Sequence, residues 1–245
     1  MVTPRGWTVA GSALVFGLAA RLLGVIVSPR ATYADVAARP RALGAILVIL
    51  LLAGASTFAF LSTEIGQNAM LDQQRQTMES YGFKMTEQQA QRMEEGAGRA
   101  RYFGAVFQAV FLVIGALVIS GIAVAVFSAA LGGDARFKQV FAVVVHSGVI
   151  FALGALFVLP IDYARETLSS PTTLSVFFPF LDEGSFAARL LGSIDLIRIW
   201  WFVSLSIGLG VLYRRRTSPI AVTLLALYAA IALVIAAIQS AVSGA

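Results

Sequence analysis

The feature that most limits this chain is its repeated supply of apolar runs about twenty residues long. A helix of ~20 apolar residues crosses the hydrocarbon layer with its backbone groups bonded internally, which only helices and closed barrels achieve. Five such runs occur, at residues 42–61, 103–131, 140–160, 190–213 and 220–238. The whole-chain balance agrees, with 58% of residues hydrophobic and 13% charged, against roughly 45–50% and 25% in soluble domains. So few charges cannot cover the apolar surface of such a chain, and lipid is its solvent. The expected fold is all-α, an integral membrane bundle of five transmembrane helices.

Short connectors at 132–139 and 214–219 make helices two and three, and four and five, antiparallel neighbours. The stretch 7–27 differs from the other runs, because it carries Arg21 together with Gly11, Gly17 and Gly24. It is expected to form an N-terminal interfacial helix. A cleaved leader fits less well, since Ser28-Pro29-Arg30 is not a small-residue cleavage site. Basic loops stay on the cytoplasmic side. Arg5, Arg21, Arg30, Arg39 and Arg41, then Arg136 and Lys138, then Arg214, Arg215 and Arg216 all fall on one side of a five-span chain. In the loops 62–102 and 161–189 acids match or outnumber bases. The N-terminus is therefore expected in the cytoplasm and the C-terminus outside. Residues 1–41 form a cytoplasmic or interfacial segment, and 42–245 a membrane domain with an outer loop at 62–102.

That outer loop is polar, rich in Gln, Glu, Arg and Met, and free of proline between 67 and 101. Thr86 followed by Gln89 is a capping-box pattern that marks a helix start, and Tyr81-Gly82 supplies a break before it. Two readings stand, a helical hairpin over the outer mouth and a solvated linker.

Composition narrows the chemistry. There is no cysteine and one histidine, which removes disulfides, cysteine-ligated zinc and iron–sulfur clusters and leaves little for a metal. No cofactor is expected. The net charge of +5 is scattered around the ends of apolar runs, with no basic tract interleaved with aromatics, so membrane lipids are the expected partner and nucleic acid is not. No serine elbow, phosphate loop, zinc-protease motif or aspartate cluster is present, and the protein is expected to be non-enzymatic.

Four polar residues within apolar runs are the site candidates. Asp195 and Arg198 sit three apart, on one helical face, and are expected to be able to pair. An ionisable group at membrane depth costs ~2.5–3.5 kcal/mol on insertion scales and is a functional candidate by default, although a pair near a helix end also serves packing. His146 lies beside Ser147 and Gly148 in the third run. It is either an interhelical hydrogen-bonding residue or, if Asp195 approaches it, part of a proton relay. Gln108 near the start of the second run and Trp200-Trp201 in the fourth are expected to hold helices together.

Three blocks of sequence resemble a known family. Ser28-Pro29-Arg30, Tyr33 and Arg39-Pro40 before the first span form one. Gly132-Gly133, followed by Arg136, Phe137, Lys138, Gln139 and Val140, form the second. Ser193-Ile194-Asp195-Leu196-Ile197-Arg198-Ile199-Trp200, with Gly208 and Gly210 after it, form the third and most specific. Together they resemble bacterial members of the Ypt-interacting protein (Yip) domain family. The resemblance implies a five-helix membrane protein with a cytoplasmic N-terminus, here in a bacterial inner membrane. Eukaryotic relatives act in vesicle traffic, bind Rab-type GTPases and help shape membranes. This sequence lacks their Asp-Leu-Tyr-Gly-Pro type motif and a long region before the first span, so Rab binding is not expected. Asp195 matches the family pattern, whereas Arg198 is this chain's own.

Two functions compete. One is a scaffold that organises lipid or binds other membrane proteins. The other is a transporter or lipid-handling protein with a polar cavity lined by His146, Asp195 and Arg198. Convergence of the three on one enclosed pocket favours transport, and separate neighbours for each favour the scaffold.

Overall fold

The computed structural model describes residues 17–83, 86–130, 132–182 and 184–242. Among them every regular element is helical, and one isolated β-bridge joins Thr173 to Asp195. Of the 7–27 stretch, residues 7–16 lie outside the described residues and the remainder enters α1 (Leu18–Val27). Pro29 stands at the first position of α2 (Pro29–Ala38), where its missing amide has no helical partner to lose. The two helices form a tight hairpin.

One face of this hairpin is deeply packed. Tyr33 and Val36 are wholly buried, and Arg21 and Thr32 nearly so. α2 lies against α6 (Phe137–Ser147) and α9 (Leu196–Leu212). The approach is close because Gly208 has no side chain, and a Cβ there would stand 2.5 Å from Val143 and 3.1 Å from the Tyr33 ring. Around this crossing lies the core, built from Ile49, Val140, Val143, Ile150, Leu205 and Leu209.

Among the described residues, four helical stretches are long and apolar enough to cross a membrane. The first is α3 (Leu43–Leu61), and the second is α5 (Glu87–Ala123) with the π-helical turn Val124–Ala130 that continues it. The α6 and α7 (Val149–Arg165) pair supplies the third, and α10 (Thr217–Val242) the fourth. α9 is a shorter apolar helix of 17 residues, ~26 Å long at 1.5 Å per residue. The expected 190–213 run is divided, because α8 (Phe186–Gly192) ends before Ser193 and α9 starts afresh behind Asp195. Nor does the 140–160 run end at Pro160. α7 continues through it to Arg165 and closes at Glu166, whose φ of 53° is left-handed. A proline loses its own donor and crowds the carbonyl four residues earlier, and a membrane helix tolerates both through small local adjustments and its neighbours.

The 62–102 region is helical. α4 (Glu64–Ser80) begins with the Thr63 hydroxyl accepting from the Gly66 amide at 3.0 Å. Thr86 and Gln89 make the reciprocal capping box at the start of α5. α5 is 37 residues long, ~56 Å, which exceeds the ~30 Å hydrocarbon layer. Its polar first third stands beyond the apolar part and is bridged to α4 by Arg75 and Glu94 at 2.9 Å.

Candidate functional site

Asp195 is the end point of several local structures. It caps α9, where its Oδ1 accepts from the amides of Ile197 at 2.8 Å and Arg198 at 3.4 Å. A carboxylate there also meets the positive end of the helix dipole. Its Oδ2 accepts from the hydroxyls of Ser170 at 2.7 Å and Thr172 at 2.9 Å. Its own amide donates to the Tyr228 hydroxyl at 2.9 Å, and that hydroxyl donates to the Ser193 carbonyl at 3.0 Å. Two backbone bonds, Leu174 amide to Ile194 carbonyl and Leu196 amide to Thr172 carbonyl, each 2.9 Å, complete the junction. The Asp195 carboxylate thus ties the 170–174 loop to the start of α9, and its amide, through Tyr228, adds α10 and the end of α8. The expected pair with Arg198 is not formed. Capping turns the carboxylate back over the helix end, while the Arg198 side chain leaves toward α5.

His146 belongs to a different neighbourhood. Its Nδ1 donates to the Ala142 carbonyl at 2.7 Å, one turn earlier in α6, and its Nε2 is buried without a protein partner among the described residues. The charges within its electrostatic reach are Arg21 and Asp35 of the N-terminal hairpin, not Asp195. Arg21 donates to Asp35 Oδ2 at 2.7 Å and to the Arg39 carbonyl at 3.1 Å, and Arg39 stands 3.6 Å from Asp35 Oδ1. Both members of the Arg21–Asp35 pair are largely buried. In sequence Arg21 counts as a basic residue of the N-terminal stretch, with no partner assigned to it. The signal that would have found the pair is the Ser28-Pro29 break, from which both are equally distant, so a hairpin at that point sets them opposite one another. A hydrogen bond of 2.7 Å between the Tyr33 hydroxyl and Ser204 Oγ then locks the hairpin to α9.

Gln108 accepts from the Thr57 hydroxyl at 2.6 Å and joins α5 to α3. Gln108 and Arg198 do share a space, a crevice of about 680 Å³ between α5, the α6–α7 junction, α9 and α10. Its walls are otherwise apolar and aromatic, with Phe111, Phe151, Trp201 and Phe202 prominent. Trp201 is fixed by donating to Ser147 Oγ at 3.0 Å, whereas Trp200 faces outward. The four candidates are therefore distributed over three sites. Among the described residues, no three His, Asp or Glu side chains are grouped to hold a metal ion.

The three basic segments gather at one end of the bundle. Gln139 donates to the Ala37 carbonyl at 3.0 Å, which joins the N-terminal hairpin to the 132–139 connector. Phe127 stacks on Tyr213 with centroids 5.0 Å apart, and Ser128 and Tyr213 share a 3.0 Å hydrogen bond, which brings in the 214–216 arginines. At the other end the α4–α5 turn lies against Val242, with Gly82 beside it.

A family model described as the Yip1 domain matches residues 23–238. No curated protein matches the chain, and no solved structure does.

Proposed function

The chain belongs to the Yip1-domain family and is a multi-pass membrane protein, and from that premise we propose that it is a non-enzymatic membrane scaffold that organises lipid or holds other membrane proteins. The observation that carries this reading is the separation of the polar groups. Asp195 is enclosed by its hydroxyl and amide partners, His146 by α6 and the N-terminal hairpin, and Arg198 opens into the crevice. A transport path needs such groups lined up along one cavity. α5 and α10 meanwhile present broad apolar faces, including Val118, Ile122, Leu227 and Val234, for lipid or partner helices.

In this reading α9 is the fifth crossing, shortened where Asp195 caps it, and α1 with α2 lies at the cytoplasmic interface of a bacterial inner membrane. The clustering of all three basic segments at one end supports a cytoplasmic N-terminus, since basic loops are retained inside. The position of Val242 beside the α4–α5 turn supports a C-terminus on the far side.

The test is photo-crosslinking in intact cells from a reactive residue at Val118 or Val234. Discrete adducts with other membrane proteins are the expected result. Adducts with lipid alone from both positions would remove the partner-binding half of the proposal.

A further inference from the structure

The crevice is polar at one end only. On α5 its wall is Gln108, Phe111, Leu112, Gly115, Ala116 and Ile119, which recur at alternating three- and one-residue steps and so share one helical face. From Gln108 to Ile119 that wall runs ~16 Å at 1.5 Å per residue, about half of a ~30 Å hydrocarbon layer and so the depth of one leaflet. α5 and α9 both run toward the end where Phe127 meets Tyr213. Gln108, which opens the α5 wall, and Arg198, in the first turn of α9, therefore lie toward the opposite end together.

Both polar groups are available there. The Gln108 carboxamide oxygen is taken by Thr57, which leaves its NH₂ group to donate. The Arg198 guanidinium has no carboxylate, because Asp195 is turned to Ser170 and Thr172. Among the described residues, no acidic side chain lines the crevice. A guanidinium at the margin of hydrocarbon calls for an anion, and it holds a phosphate with two parallel hydrogen bonds. We propose that this crevice is a lipid site, which takes one acyl chain of an anionic glycerophospholipid along α5 and its headgroup phosphate on Arg198 and Gln108. Such a site goes beyond the scaffold reading. Its loss would leave that reading intact, since partner contacts are tested on other faces of α5 and α10.

Trp201 lines the crevice and serves as the reporter. With Trp7→Phe and Trp200→Phe in place it is the sole tryptophan. The full chain is reconstituted in phosphatidylcholine vesicles, and either dibrominated phosphatidylglycerol or dibrominated phosphatidylcholine is titrated in. Brominated phosphatidylglycerol is expected to reach half-quenching at about one-fifth the mole fraction of the brominated choline lipid. Arg198→Gln should erase that difference. Gly115→Leu, which fills open space in the wall, should weaken quenching by both lipids while the circular dichroism of the helices is retained. Equal quenching by the two lipids in the parent, or a preference that survives Arg198→Gln, would overturn the assignment. So would a Trp201 shielded from both, the result expected of a protein helix seated in the crevice.

Discussion

A carboxylate three residues before an arginine in an apolar run invites pairing, yet Asp195 finds its partners in hydroxyls and amides from three segments, the 170–174 loop, α9 and α10. The consequence is an asymmetry between the two residues. Asp195→Ala leaves buried donors without an acceptor and should lower stability in detergent by about 1–3 kcal/mol, and Asp195→Asn by less, because its amide oxygen still caps α9. Arg198→Gln should leave the melting temperature nearly unchanged. A melting curve that moves equally for Asp195→Ala and Arg198→Gln would mean that the two are coupled after all. The buried Arg21–Asp35 pair makes the opposite case. Asp35→Leu alone strands the guanidinium and should cost about 3–5 kcal/mol, whereas Arg21→Met with Asp35→Leu should recover most of it. Thermal unfolding of the single and double variants checks this. What was legible at this scale was residue type. The choice of Asp195, His146, Gln108 and Arg198 needed only their place in apolar runs, but their partners lie up to 51 residues away for Gln108 and 25 for the Ser170 contact, and no periodicity reports such distances.

Among the elements, local signals were read well and tertiary ones were not. The Thr86–Gln89 capping box spans three residues, so its pattern and its structure coincide. Thr86→Ala should cost about 1 kcal/mol and speed deuterium exchange at the amides of 87–95, with the apolar half of α5 unaffected. Unchanged exchange there would mean that α4 alone holds this end. The division of the fourth run turns on Asp195, a residue type that favours a helix start and caps α9 locally, but no pattern in the sequence shows that the 170–174 loop and Tyr228 hold it there. Passage of α7 through Pro160 reverses an expectation for a related reason. Local chemistry discourages helix there, and packing outweighs it.

For the molecule as a whole, the apolar runs predicted a helical membrane bundle and the distribution of arginines predicted its polarity. In space, the described parts of the segments that carry them meet at one end of the bundle. Because the chain contains no cysteine, single cysteines report topology without a background. Asp134→Cys and Arg216→Cys, both exposed, should react with an impermeant maleimide only after the cytoplasmic face is opened. Gln88→Cys should react from outside intact cells. Labelling of Asp134→Cys and Arg216→Cys from opposite faces would require an odd number of crossings between them and would remove α9 as a span.

The lock between Tyr33 and Ser204 also sets an order of events during synthesis. These residues are 171 positions apart, and a ribosome adding ~5–20 residues per second needs about 10–35 s to pass from one to the other. Throughout that interval the first hairpin has been made but α9 has not. The Tyr33 hydroxyl, and the hairpin surface around it, must wait in water or headgroups for the helix that covers them. Ribosomes stalled before residue 196 should therefore carry an N-terminal hairpin open to protease, and release of the remaining chain should close it.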